Sequence, residues 1–341
     1  MESKLQGLQV GRAVAAMTIV YFHSWVAITR FPKDTAYQIP GLTSYGHLAV
    51  DLFFAISGFV ICLVVSRDTF NVQSFFIKRV FRLYPLWLLM LTIFAITAWR
   101  WRGLQPRENL DFFLYSAALL PTQELPFYNV GWSLQHEMVF YLIAAVLVPF
   151  FGLIGLAAFL TASTLAYHSL EMPWYLSNLA SHHATFLAGV LAFLMRAPMA
   201  RLRFFIPAIV GVTMFCALIV AGLFDWLPVA LFFIMVAFAN LHPNETTWWR
   251  KPMMALGDAS YSLYLIHPMA FFTMSAIVSK IPFPLWSQEP IRIVCIAIII
   301  CASLISWRYF EKPIIRFGNH LAERKISNYV KAAVGAPSRE A

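Results

Sequence analysis

Apolar runs about as long as a bilayer crossing follow one another along nearly the whole chain, at about 8–30, 47–66, 82–100, 132–152, 153–170, 178–196, 204–222, 226–241, 255–278 and 291–310. A helix needs about 20 mostly apolar residues to cross the hydrocarbon core, so these runs predict an all-α, polytopic membrane helix bundle of about ten transmembrane helices. Composition excludes an ordinary soluble domain. Such domains are about 45–50% apolar and about 25% charged, whereas this chain of 341 residues is 60% hydrophobic and 12% charged. Two stretches are read differently: 110–120 as a re-entrant or interfacial helix, and the junction at Gly152 as the least sharp division between spans.

The basic balance, a net charge of +9, is mostly topology. Cytoplasmic loops collect lysine and arginine, and with the N-terminus inside, the inner loops and ends hold 18 of the 25 basic residues. Both termini are therefore expected in the cytoplasm, with residues 1–310 forming the transmembrane domain. Residues 311–341 form a basic cytoplasmic tail suited to the anionic inner leaflet. Nucleic acid is not an expected partner. Cys62, Cys216, Cys295 and Cys301 lie inside apolar runs without CxxC or Cys/His spacing, so neither a disulfide scaffold nor a metal is implied. A removable signal peptide is not expected, because His23 breaks the first run and no small-x-small site follows it.

Ionisable side chains at membrane depth are costly and need a partner, a wet cavity or a function. The candidates are Arg12, His23, Asp51, Arg79, Arg82, His136, Glu137, His182, His183, Asp258 and His267. Arg12 and His23 are eleven residues apart, about 20° from a whole number of turns and about 16 Å along one helix stripe. Arg79 and Arg82, spaced i, i+3, share a face near the cytoplasmic side; two guanidiniums there form a fork suited to phosphate. Counting down from the outer span ends puts His23 roughly 10 Å, Asp51 roughly 6 Å and Glu137 roughly 7 Å deep, with His267 somewhat deeper. Histidines and carboxylates in one buried layer are the composition of an acid/base site.

These residues sit in strings that resemble the membrane-bound acyltransferase 3 family, and within it the exopolysaccharide-production O-acetyltransferases. LQVGRAVAAMTIVYFH at 8–23 carries the basic residue, ten-residue gap and histidine on Arg12 and His23. GHLAVDLFFAISGFVI at 46–61 resembles the second-span signature, and FFIKRVFRLYP at 75–85 the RxxR motif with Arg79, Arg82, Tyr84 and Pro85. VGWSLQHEMVFYLI at 130–143 resembles the Trp-Ser-Leu-x-x-Glu motif ending on Glu137. LGDASYSLYLIHP at 256–268 resembles the late signature ending on His267.

The resemblance implies transfer of an acyl group, commonly acetyl from acetyl-CoA as co-substrate, to a carbohydrate hydroxyl. It implies His23 as the catalytic histidine, Glu137 as an essential acid and Arg79 and Arg82 as donor contacts; Arg12 and Tyr84 are assigned to the same donor site. Trp132, Ser133 and His267 are assigned to the acceptor. Glu137 or Asp51 is expected to orient the His23 imidazole, as a buried carboxylate does in hydrolytic triads. The expected location is the inner (plasma) membrane, and the expected partners are a free or lipid-linked saccharide, membrane lipids and polysaccharide assembly machinery. Two other readings use the same polar layer: a transporter or flippase for a lipid-linked saccharide, and a structural subunit of an assembly complex.

Overall fold

The computed structural model describes residues 3–27, 38–67, 70–281 and 284–334. All regular structure among them is helical: α1 (Ser3–Ala27), α2 (Pro40–Tyr45), α3 (Ala49–Val65), α4 (Val72–Arg102), α5 (Leu110–Ala117), α6 (Gly131–Ser169), α7 (Trp174–Ala180), α8 (His183–Leu194), α9 (Arg196–Met199), α10 (Phe205–Val220), α11 (Leu227–Asn240), α12 (Arg250–Asp258), α13 (Ser260–Lys280), α14 (Gln288–Ser306) and α15 (Lys312–Val334). Among the described residues, five stretches are long and apolar enough to cross a membrane: Pro40–Val65, Val72–Arg102, Gly131–Ser169, Ser260–Val278 and Gln288–Arg324. The protein is an all-α membrane helix bundle. A helix covers much of each predicted run, with two adjustments. The run expected at 82–100 begins a further two to three turns earlier, which places Arg79 and Arg82 inside α4. The doubtful junction at Gly152 is a kink in α6, where Gly152 takes φ 65°, ψ −170° three residues after Pro149. A side chain would resist that conformation, and glycine does not.

The packing centres on α1, which touches α3, α11, α12 and α13. Within lipid there is little hydrophobic gain from helix association, so close van der Waals approach takes over. The α3–α8 contact shows how. A Cβ added to Gly189 would lie 1.8 Å from the Ala55 carbonyl oxygen, and one added to Gly58 would lie 2.3 Å from that of Phe186. The largest fully buried side chains include Trp87, Phe140, Tyr141, Phe186 and Phe193.

The segment between α4 and α6 positions the site. After α4, Glu108 takes a bidentate ion pair from Arg102, at 2.6 and 2.9 Å. Asn109 caps α5 through the Phe112 amide, and the chain then folds back along α4. The Trp87 indole donates to the Ser116 carbonyl at 3.1 Å, the Tyr84 hydroxyl donates to that of Ala118 at 3.0 Å, and the Tyr128 ring stacks on Trp87. Trp87 lies about four turns before the end of α4, roughly 22 Å along it. Gly131, the first residue of α6, abuts this same indole: an added Cβ would stand 2.3 Å from the ring. The stretch 110–120 therefore folds back along α4, and α6 begins about halfway along that helix.

At the other end a five-residue π-helical stretch, Trp307–Glu311, links α14 to α15. After it, α15 runs along the first turns of α4. Phe317 meets Phe81 at 5.7 Å between ring centroids, and Ser74 donates to the Ala322 carbonyl at 3.2 Å.

Candidate active site

Arg12 of α1, Arg79 and Arg82 of α4 and Glu137 of α6 line a single cavity, together with Ser57, Tyr141, Tyr261 and Tyr264. Its carboxylate is fixed by two donors. The Ser57 hydroxyl donates to Oε1 of Glu137 at 2.8 Å, and the Tyr141 hydroxyl donates to the same oxygen. The Arg79 guanidinium lies 5.0 Å from the Tyr141 ring centroid and 5.3 Å from that of Phe75, within cation–π range. Among the described residues, none of the three guanidiniums forms an ion pair with a carboxylate. Three guanidiniums against one carboxylate give the cavity lining a net positive charge, with Asp258 and Glu311 near enough to interact with Arg12 and Arg82. The space open to the centre of a water molecule is about 90 Å³. A water needs roughly 10–15 Å³ on that measure, so the cavity admits several waters or a slender chain, and a nucleotide only at its mouth.

Higher on α1, His23 Nδ1 lies 3.0 Å from the Ile19 carbonyl oxygen and 3.2 Å from His267 Nε2. His267 is fully buried, and its Nδ1 lies 2.9 Å from the Leu263 carbonyl oxygen. The expected pairing of His23 with a carboxylate is not found: among the described residues, neither Glu137 nor Asp51 bonds to this ring. The reason is the segment that folds back along α4. Depth counted from the end of a span misplaces Glu137, because α6 starts beside Trp87, about halfway along α4 rather than level with its C-terminal end. Glu137 thus joins the arginines.

Asp51, in the first turn of α3, pairs instead with His182 at 3.4 Å. The His182 ring stands 4.8 Å from His136 and 5.3 Å from Trp132, with Phe54 closing the group at 4.9 Å. The layer expected to be one site is therefore three: the arginine–Glu137 cavity, the His23–His267 pair and the Asp51–His182 cluster. Ser133 lines the cavity and donates to the Tyr264 hydroxyl at 2.7 Å, whereas Trp132 faces the Asp51 cluster. Tyr84 does not line the cavity; its hydroxyl is held by Ala118 on the segment that folds back along α4.

A family model described as an acyltransferase domain matches residues 5–308. The chain belongs to the acyltransferase 3 family. It is 23% identical to Nodulation protein 10 of Rhizobium leguminosarum bv. viciae, over 93% of this chain and 95% of that protein. It is 26% identical to the exopolysaccharide production protein ExoZ of Rhizobium meliloti (strain 1021), over 80% of this chain and 90% of ExoZ. With the O-acetyltransferase OatA of Staphylococcus aureus (strain NCTC 8325 / PS 47) the identity is 24%, over 92% of this chain but 58% of OatA. No solved structure matches. The protein is an acyltransferase.

In this acyltransferase the structure adds residues that sequence reasoning passed over. Tyr141 carried a signal: it follows Glu137 by four residues, which places both on one helix face. Ser57 carried none, since nothing local ties the second-span serine to α6. Asp258, one of the ionisable residues expected at membrane depth, accepts from the Gln9 side-chain amide of α1 at 3.0 Å. Glu311, in the π-helical stretch, is buried and takes a hydrogen bond from Ser262.

Proposed function

We propose that this protein is an O-acetyltransferase of the inner (plasma) membrane, taking acetyl from acetyl-CoA to a hydroxyl of an exopolysaccharide or another cell-surface carbohydrate. In this reading ten helices cross the bilayer, both termini are cytoplasmic, residues 1–310 form the transferase and residues 311–341 a basic cytoplasmic tail. The names of two relatives support it: one is an exopolysaccharide production protein and the other an O-acetyltransferase. The observation that carries the reading is the cavity with three guanidiniums and one carboxylate, on the same stripe of α1 as His23 and about three turns below it.

Coenzyme A is a phosphate-rich cytosolic thioester. Arginine forks recognise phosphate with directed hydrogen bonds, and Arg12, Arg79 and Arg82 offer such donors at the cavity. The narrow interior accommodates a slender arm rather than the nucleotide, so the phosphates stay at the mouth while the thioester extends toward His23. There the acceptor hydroxyl gives its proton to His23 and its oxygen attacks the thioester carbonyl. The C–S bond breaks, the thiolate leaves, and the proton held by His23 goes to the departing sulfur. Glu137, tied down by Ser57 and Tyr141, balances charge among the arginines.

Purified protein incubated with acetyl-labelled coenzyme A and a surface saccharide tests the reading. Label appearing on the saccharide, with free thiol released in equal amount, is expected. Donor binding without either product would contradict it.

A further inference from the structure

We propose that His267 is a positioning residue that fixes the ring tautomer of His23; the inference rests on the acyl-transfer reading above. It follows from counting protons along one chain of contacts. A backbone carbonyl can only accept. His267 Nδ1, 2.9 Å from the Leu263 carbonyl oxygen, must therefore carry the hydrogen. In the neutral ring the other nitrogen is then bare, so Nε2 of His267 presents a lone pair, and it presents it to His23 Nδ1 at 3.2 Å. That His23 nitrogen also faces the Ile19 carbonyl oxygen at 3.0 Å. Two acceptors converge on one atom, so that atom must be the donor. His23 Nδ1 carries the hydrogen, shared between Ile19 and His267, and His23 Nε2 is left as the free base.

The opposite tautomer would set a bare Nδ1 against a carbonyl oxygen and a bare imidazole nitrogen together. Ile19 favours the same tautomer from the helix that carries His23, and His267 adds a second acceptor from another helix. His267 comes from α13 and is fully buried, so it cannot turn its lone pair to water. Its helix is held one turn or less away by the stretch around the start of α6: Tyr128 donates to the Leu265 carbonyl at 2.6 Å, and Tyr264 takes the Ser133 hydroxyl at 2.7 Å. The pair also stabilises the product of proton transfer. When Nε2 of His23 takes the hydroxyl proton, the new imidazolium keeps its Nδ1–H on the lone pair of neutral His267. An imidazole thereby fills the orienting place that a carboxylate fills in hydrolytic triads, where the wrong tautomer costs about 10⁴ in rate.

The test compares His267→Phe, which keeps an aromatic side chain and removes the acceptor, with His267→Gln, whose amide oxygen can accept from His23 Nδ1 while its N–H₂ faces Leu263. The Phe variant should lose kcat by at least about tenfold, with donor KM within about twofold of wild type and an unchanged melting temperature; the Gln variant should recover a large part of that loss. Full kcat in the Phe variant, or a folded Gln variant no better than Phe, would overturn the assignment. Should both variants fail to fold, the ¹⁵N spectrum of histidine-labelled wild-type protein decides, with the His23 signals assigned by their loss in His23→Ala. One-bond N–H coupling at Nδ1 supports the proposal, and coupling at Nε2 overturns it. Wild-type protein that never turns over acetyl-CoA would count against the acyl-transfer reading alone, because the nitrogen spectrum needs no turnover.

Discussion

Oε1 of Glu137 on α6 receives the hydroxyl of Ser57 from α3 at 2.8 Å and also the hydroxyl of Tyr141, one turn further along its own helix. One carboxylate oxygen is thereby held by two donors in a cavity that also contains Arg12, Arg79 and Arg82. A hydrogen bond to a charged group contributes about 1.5–3 kcal/mol. Tyr141→Phe removes one donor and keeps the ring that packs against Arg79. It should lower kcat/KM for acetyl-CoA by about tenfold with little change in melting temperature, and steady-state kinetics on the purified variant check this. Unchanged kcat/KM would mean that the orientation of Glu137 is not used.

The arginines make a separate prediction. Arg79→Ala and Arg82→Ala should each raise donor KM by about tenfold while leaving the protein in the membrane. Arg79→Lys should fall between wild type and alanine, because an ammonium keeps the charge and loses the planar fork. Titration of acetyl-CoA against initial rate reads the effect directly. A donor KM indifferent to both alanine substitutions would remove the phosphate role from this cavity.

How much of this was legible in the sequence depends on distance along the chain. Within one helix, spacing is enough: the i, i+3 rule placed Arg79 and Arg82 on one face, and 1.5 Å per residue placed Arg12 below His23. Between helices the inference needs a common origin, and the assumed origin was the outer end of each span. That origin fails for α6, because residues 103–130 turn back beside Trp87 and Tyr84 and begin α6 halfway down α4. Glu137 consequently moved from the histidine to the arginines. Asp51 and His182 were each identified as costly, but α3 and α8 come together through Gly58 and Gly189, a contact no local pattern reveals. The membrane class was fixed by composition alone, because no soluble fold buries so apolar a chain.

Because Asp51 pairs with His182, the two should behave as a unit distinct from His23. In a double-mutant cycle of Asp51→Asn and His182→Ala on kcat/KM, the double variant should be no worse than the more damaging single one, with a coupling of at least about 0.5 kcal/mol. Full additivity would show that the 3.4 Å contact carries nothing.

Outside the candidate membrane-spanning helices, Glu108 offers a pH test of folding. The Arg102 guanidinium, with the Gln105 amide, holds its carboxyl below the usual carboxylate range. A group whose pKa is depressed on folding stabilises the fold above its unfolded value, and loses that contribution as pH falls through its folded value. Glu108→Gln should therefore lower the melting temperature at pH 7, and the gap to wild type should close as the pH is taken below about 4. A gap of constant size across this range would show that the ion pair is not its source.

The account stands on His23 as the base that takes the acceptor proton while the arginine cavity holds the donor. The direct measurement follows thioester consumption and donor binding together, in wild-type protein and in His23→Ala, with labelled acetyl-CoA and acceptor present. Loss of all acetyl transfer in His23→Ala, with donor affinity within about twofold of wild type, is the predicted result. Acetyl transfer that continues at the wild-type rate without His23 would contradict it.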